Sequence, residues 1–276
     1  MLIYLITIFI SFFLLHCSFI PKSRYVKFLL VFFSVLMPSL LAAFRDLNIG
    51  TDLGVYGLRT FDSAIKAWNV TSPLSFFSEA TIEVGYIIIN LGVALFSSSY
   101  HVLFFVLQFI VLTLVVVGCF LLKDELKQPA FFYLTYLLLN YCFSFNILRQ
   151  SIAIGIFIIA CKFLISRNFW KYAVVIAIGF LFHKSILFML PLYFIPSLIN
   201  NYPKIPWNIV VLILGLILYL VFPLLIPLGI SVGFLDSKYI RYANSNFSTH
   251  KNNLSFYILI FSFSWYALHI AKGKFF

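Results

Sequence analysis

Charge is what this sequence has least of. Only 10% of its 276 residues are charged, where soluble domains carry about 25%, so a water-soluble globular fold is excluded. Its net charge of +11 comes from cations scattered between apolar runs. There is no basic arm and no aromatic-basic module, so nucleic acid is not expected as a partner. The four cysteines, Cys17, Cys119, Cys142 and Cys161, all lie inside apolar runs, without CxxC spacing and, although His16 precedes Cys17, without the grouped histidines of a metal cluster. They read as core or lipid-facing residues, and neither a metal nor another cofactor is expected. Internal repeats and low-complexity tracts are also missing. The N-terminus lacks both a positive n-region and a small-residue cleavage site, so Met1 to Ile20 reads as a retained span.

What is present is hydrocarbon. Mean hydropathy is +1.07, with 35 phenylalanines, and nine stretches look able to cross a bilayer. They are about Leu2 to Ile20, Val26 to Ala43, Val102 to Leu122, Ala130 to Phe145, Ser151 to Ser166, Phe169 to Phe182, Ser185 to Ile199, Trp207 to Gly229 and Leu254 to Ile270. Phe169 to Phe182 and Ser185 to Ile199 are short for a bilayer of about 30 Å, which predicts tilted or broken segments. A tenth segment, Val84 to Phe96, is interrupted by Gly85, Asn90 and Gly92.

Loop charges decide how to treat it. If Val84 to Phe96 does not cross, the basic groups at Pro21 to Lys27, Lys123 to Lys127, Arg167 with Lys171, Lys204, and Lys272 with Lys274 all share one face. The positive-inside rule makes that face cytoplasmic. The expected fold class is therefore all-α: a polytopic membrane protein of about nine transmembrane helices plus one short re-entrant or outer helix. It forms a single membrane domain over residues 1–276, with outer loops 44–101 and 230–253.

That topology gathers the remaining polar residues on the outer face. Arg45, Arg149 and Lys184 sit at outer helix ends, where topological bias gives them no role; an anionic ligand would. Guanidinium offers a planar fork of donors to phosphate oxygens, Gln150 can add an amide contact, and lysine binds phosphate as a point charge. Gly50-Thr51-Asp52-Leu53-Gly54 frees the backbone for close approach to a ligand and adds a hydroxyl and a carboxylate. Glu83 has two readings, as a carboxylate at a helix N-terminus or as a catalytic base. Asp52 and His183 are further candidates for that base. His16, His101, His250 and His269 lack such company and read as structural. Aromatic residues of the outer loops, including Lys238-Tyr239-Ile240-Arg241-Tyr242, form an interfacial belt or offer flat faces to sugar rings.

The order Arg45, Gly50-Thr51-Asp52, Tyr56, then Glu83-Val84-Gly85-Tyr86, then Asn146 with Leu148-Arg149-Gln150, then Phe182-His183-Lys184-Ser185 resembles the EpsG family of bacterial integral membrane proteins. That family is similar to Wzy-type polysaccharide polymerases. The resemblance covers Phe44 to Pro191 by motif and the ends by hydropathy, and it implies a relation to the GT-C glycosyltransferases.

It also implies an activity: polymerising repeat units of capsule, exopolysaccharide or O-antigen on the outer face of the bacterial cytoplasmic membrane. A glycan would pass from undecaprenyl pyrophosphate to a sugar hydroxyl of another lipid-linked unit. Asp52, Glu83 or His183 would serve as base. Arg45, Thr51, Tyr56, Tyr86, Asn146, Arg149, Gln150, Lys184 and Arg241 would bind substrate. Partners would be the lipid-linked oligosaccharide, the bilayer, and flippase and chain-length regulator proteins. The rival readings are a flippase or exporter of the same glycans, and an accessory subunit of a synthase complex.

Overall fold

The computed structural model describes residues 2–50, 52–79 and 82–202, and beyond these only 204–205, 209–210, 213 and 227–233. The expected spans Trp207 to Gly229, in most of its length, and Leu254 to Ile270, with most of the last outer loop, lie outside the described residues. Two compact units divide the chain, residues 1–193 and 194–276. In the second, the described structure is a short helix, Ile195–Asn201, and a helical stretch at 227–231.

Among its described residues the first unit contains nine α-helices: α1 Leu2–Ser18, α2 Arg24–Ala43, α3 Arg59–Asn69, α4 Pro73–Glu79, α5 Val84–Ala94, α6 Tyr100–Leu121, α7 Pro129–Asn140, α8 Leu148–Ile165 and α9 Phe169–Phe180. All described regular structure is helical, and three helices, α2, α6 and α8, are long and apolar enough to cross a membrane. Local signals set several boundaries. The Ser23 hydroxyl accepts from the Val26 N–H and opens α2, Asn168 does the same for Lys171 at α9, and Pro129 stands in the first turn of α7.

Two expected spans take another form. Ala130 to Phe145 divides into α7 and a 3₁₀ turn, Phe143–Asn146. Ser185 to Ile199 does not form one helix: Lys184–Tyr193 is 3₁₀, with Pro191 inside it, and the chain turns α-helical again only from Ile195. At about 2.0 Å rise per residue, ten residues of 3₁₀ helix cover roughly 20 Å, close to the ~18 Å of the twelve-residue α9. The two form a hairpin closed at its base by reciprocal bonds. Arg167 donates to the Tyr193 carbonyl at 2.7 Å, and the Tyr193 hydroxyl returns one to Arg167 at 2.5 Å.

The α1–α2–α7 contact is organised by one imino acid. Pro38 inside α2 has no N–H, which frees the carbonyl of Ser34 one turn back. In an apolar interior a free carbonyl must find a donor. Two helices supply one each: Ser11 of α1 and, at 3.1 Å, Tyr133 of α7. The Tyr141 hydroxyl just beyond α7 donates to the Pro38 carbonyl at 2.6 Å. The kink in one helix thus fixes the register of two others. Replacing Tyr133 by Phe and Ser11 by Ala together should lower thermal stability in detergent by about 1–3 kcal/mol, the cost of an unsatisfied buried carbonyl. Each single change should cost less than half of that, because one donor remains. Additive single losses would contradict the shared acceptor.

Candidate functional site

The ends of α2, α7 and α9 and the starts of α5, α6 and α8 come together at one end of the bundle. The last carbonyls of α2 have no intrahelical partner, and side chains from this end satisfy them. Arg45 donates from Nη1 to Ala42 at 2.6 Å, and His101 of α6 lies 2.7 Å from the Ala43 carbonyl through Nδ1. His101 is structural, as its lack of polar company implied. Arg45 also donates from Nε to Ile49 at 3.3 Å, and its guanidinium sits between the rings of Phe104 and Phe145 at 4.5 and 4.4 Å. It is only 4% exposed, and burial lowers it to about 10, so it stays cationic at neutral pH. Nη2 has no partner among the described residues.

The loop after Arg45 folds onto the Phe143–Asn146 turn at Gly50. Its φ of +119° is open to glycine, and a Cβ there would meet the Phe145 carbonyl oxygen at 2.5 Å and Leu53 Cδ1 at 2.8 Å. Asp52 follows, then a π-helical turn, Leu53–Leu58, that presents Tyr56.

α8 begins with Leu148, has no acidic residue in its first turn and no side-chain cap. A cation at its second position is electrostatically misplaced against the helix dipole. Two carboxylates from distant segments correct this. Asp52 is half-buried where the Arg149 guanidinium and the Leu148 N–H both favour its charged form. Glu83, the residue before α5, accepts from Arg149 Nη1 through Oε2. The Arg149 guanidinium lies 3.7 Å over the Tyr56 ring, and the Tyr86 hydroxyl donates to the Tyr56 carbonyl at 3.0 Å, so both tyrosines brace the pair. Glu83 is 9% exposed and Arg149 12%. The Glu83 side chain makes no capping bond to α5, which leaves it committed to the pair.

His183 completes the group. Its Nδ1 stands 3.4 Å from Glu83 Oε1 and makes no hydrogen bond among the described residues. Gly85 makes the approach possible. Its N–H donates to the Leu181 carbonyl at 2.7 Å, and a Cβ would meet that oxygen and the Phe182 ring at 2.8 Å. Lys184 is exposed beside His183, and Asn146 and Gln150, both half-buried, flank the start of α8. Thr51 and Arg241 lie outside the described residues. Leu148 was missed in the sequence because its contribution is a backbone N–H.

The two carboxyls are driven apart. Burial alone would raise Glu83, but the His183 ring and the Arg149 charge outweigh it and hold the carboxyl at about 2, below its ordinary 4.5. Asp52 goes the other way, raised by burial and only partly restrained by Arg149, the Leu148 N–H and His183. Glu83 is a fixed anion, and Asp52 the more easily protonated of the two.

This is a membrane-embedded helical protein with a charged cluster gathered at one end of the bundle from segments far apart in sequence. The chain belongs to the EpsG family, whose model matches residues 27–275. That family is associated with glycosyltransferase-like polymerase activity in polysaccharide biosynthesis. No curated protein and no solved structure matches the chain.

Gly85→Ala should part α5 from α9, separate Glu83 from His183, and abolish function while the protein still inserts into the membrane; full function with Ala would contradict the close approach. The pH dependence has a definite sign. A depressed carboxyl stabilises the fold fully above its unfolded value of 4.5, and that stabilisation is lost as pH falls towards 2. The melting-temperature gap between wild type and Glu83→Gln should be constant above pH 4.5 and shrink below it. A gap that widens in acid would refute the pairing.

Proposed function

We propose that this protein is a polymerase of lipid-linked oligosaccharide repeat units, working at the outer face of the bacterial cytoplasmic membrane within a nine-span, GT-C-like fold. The observation that carries the reading is the Arg149–Glu83–His183 cluster with Asp52. It gathers buried and half-buried charge at one end of the bundle in a largely apolar chain, and charge beside lipid is expensive enough to mark function. Substrate would be a growing glycan on undecaprenyl pyrophosphate, with a second lipid-linked unit as acceptor.

The geometry supports the following roles. Arg149, with Lys184 beside the cluster and Arg45 behind it, supplies preorganised positive charge to the pyrophosphate. Glu83 accepts from Arg149 on Oε2 and faces the His183 ring with Oε1, and it serves as a positioning residue for both. With Nδ1 turned to Glu83, His183 keeps Nε2 for a substrate hydroxyl. The acceptor oxygen attacks the anomeric carbon, His183 takes the hydroxyl proton, and the bond from that carbon to pyrophosphate oxygen breaks. The arginines hold the departing anion. Asp52 lies at the start of α8, Tyr56, Asn146 and Gln150 flank the cluster as further substrate contacts, and Tyr86 braces Tyr56 from within.

A flippase would need a polar path across the bilayer, whereas the site's charge gathers at one end. Purified protein with labelled donor and acceptor tests the assignment. Arg149→Ala should abolish polymer and leave single repeat units. His183→Gln should slow extension by about 10²–10⁴-fold while still binding the lipid-linked donor. Normal chain lengths in the first variant, or an unchanged rate in the second, would overturn it.

A further inference from the structure

Gln108 sits inside α6, a helix long and apolar enough to cross the membrane, ~12 Å along the axis from Tyr100. It is 5% exposed, and its Oε1 stands 3.1 Å from the hydroxyl of Ser144 in the 3₁₀ turn Phe143–Asn146. The ordinary reason for such an amide is adhesion between helices, and the bonding here argues against it. Ser144 already donates to the Tyr141 carbonyl at 2.6 Å, so it is satisfied without Gln108. The amide gains at most a share of that one proton and leaves Nε2 without a partner among the described residues. An apolar side chain of the same length would strand no polar group. A polar residue kept inside a span against its own stability points to function.

What Gln108 touches leads to both arginines of the cluster. Phe104, one turn earlier on the same face of α6, lies 4.5 Å from the Arg45 guanidinium. Phe145, the residue after Ser144, supplies the second ring at 4.4 Å, and its carbonyl oxygen is where the loop closes down at Gly50. From the same turn the chain passes directly into α8. The Ile147 N–H donates to the Ser144 carbonyl at 3.3 Å, and Arg149 stands in the first turn that follows. Two successive turns of α6 thus hold one wall of Arg45 and the segment that carries both its other wall and Arg149.

We propose that Gln108 is a positioning residue: held against Ser144, it sets the spacing of Arg45 and Arg149, whose charge the proposed reaction uses. The inference rests on the polymerase reading for the ligand and adds what fixes the separation of its cations. A shift of the turn moves Phe145 and the start of α8 together, and a 1 Å misplacement costs about 10²-fold in rate. The charge that matters is the one developing on the leaving pyrophosphate, so the loss falls on kcat.

Purified full-length protein with labelled undecaprenyl-pyrophosphate-linked repeat units tests this. Gln108→Met, close in length and volume, should leave the melting temperature in detergent unchanged or raised. It should nonetheless lower kcat by about 10–10²-fold, with KM for the donor changed by less than about twofold. Ser144→Ala should slow extension at least as much, and adding Gln108→Met to it should slow it no further, because both changes break one contact.

A wild-type kcat in Gln108→Met would overturn the proposal, and so would rate losses that multiply in the double variant. A lowered melting temperature or failed folding of Gln108→Met would also overturn it, since a purely structural bond gives that result. Polymer from Arg149→Ala would sink the polymerase assignment of the site and this role with it. Abolished polymer in that variant beside a wild-type rate in Gln108→Met would sink this role alone.

Discussion

The ion pair between Arg149 and Glu83 is the interaction on which this end of the molecule depends. Neither member is affordable alone. A guanidinium in the first turn of a helix opposes the dipole, and a carboxylate 9% exposed loses most of its hydration. Paired, they join the start of α8 to the start of α5, which is not among the three long apolar helices. Asp52 ties the same helix start to the loop after α2, and His183 brings in the end of α9. Buried pairs give little net stability but are costly to break, so their value lies in specifying one arrangement. Here the arrangement is also the candidate site.

Arg45 has a structural role at this end of the bundle and, in the proposed reaction, an electrostatic one. Two of its nitrogens close off α2 and the following loop, and two phenylalanine rings hold the guanidinium flat. Only Nη2 is without a partner among the described residues. In the proposed reaction Arg45 contributes field more than contact, while Arg149 and the exposed Lys184 meet the pyrophosphate.

Much of this was legible in the sequence, for identifiable reasons. α2, α6 and α8 follow from apolar runs long enough to span, and the grouping of their ends follows from where lysines and arginines fall in the loops. His101 reads as structural because no charge accompanies it. The Arg149–Glu83 pair was not legible, since its members are 66 residues apart and only the fold brings them together. The 3₁₀ form of Lys184–Tyr193 was hidden because hydropathy does not distinguish 3₁₀ from α, although Pro191 and Pro196 gave notice of a break. The polar seam around Pro38 was visible in principle: a proline inside a span always leaves one carbonyl seeking a donor.

The central claim is that Arg149 and Glu83 act as one unit that specifies the fold here and, in the proposed reaction, positions the groups that carry the chemistry. A double-mutant cycle over Glu83→Gln and Arg149→Gln, reading thermal stability and chain extension on the same preparations, measures it most directly. The account predicts single losses of about 3–5 kcal/mol each, a double variant clearly more stable than their sum implies, and no polymer from any of the three. Additive stability losses accompanied by polymer of normal length would contradict it.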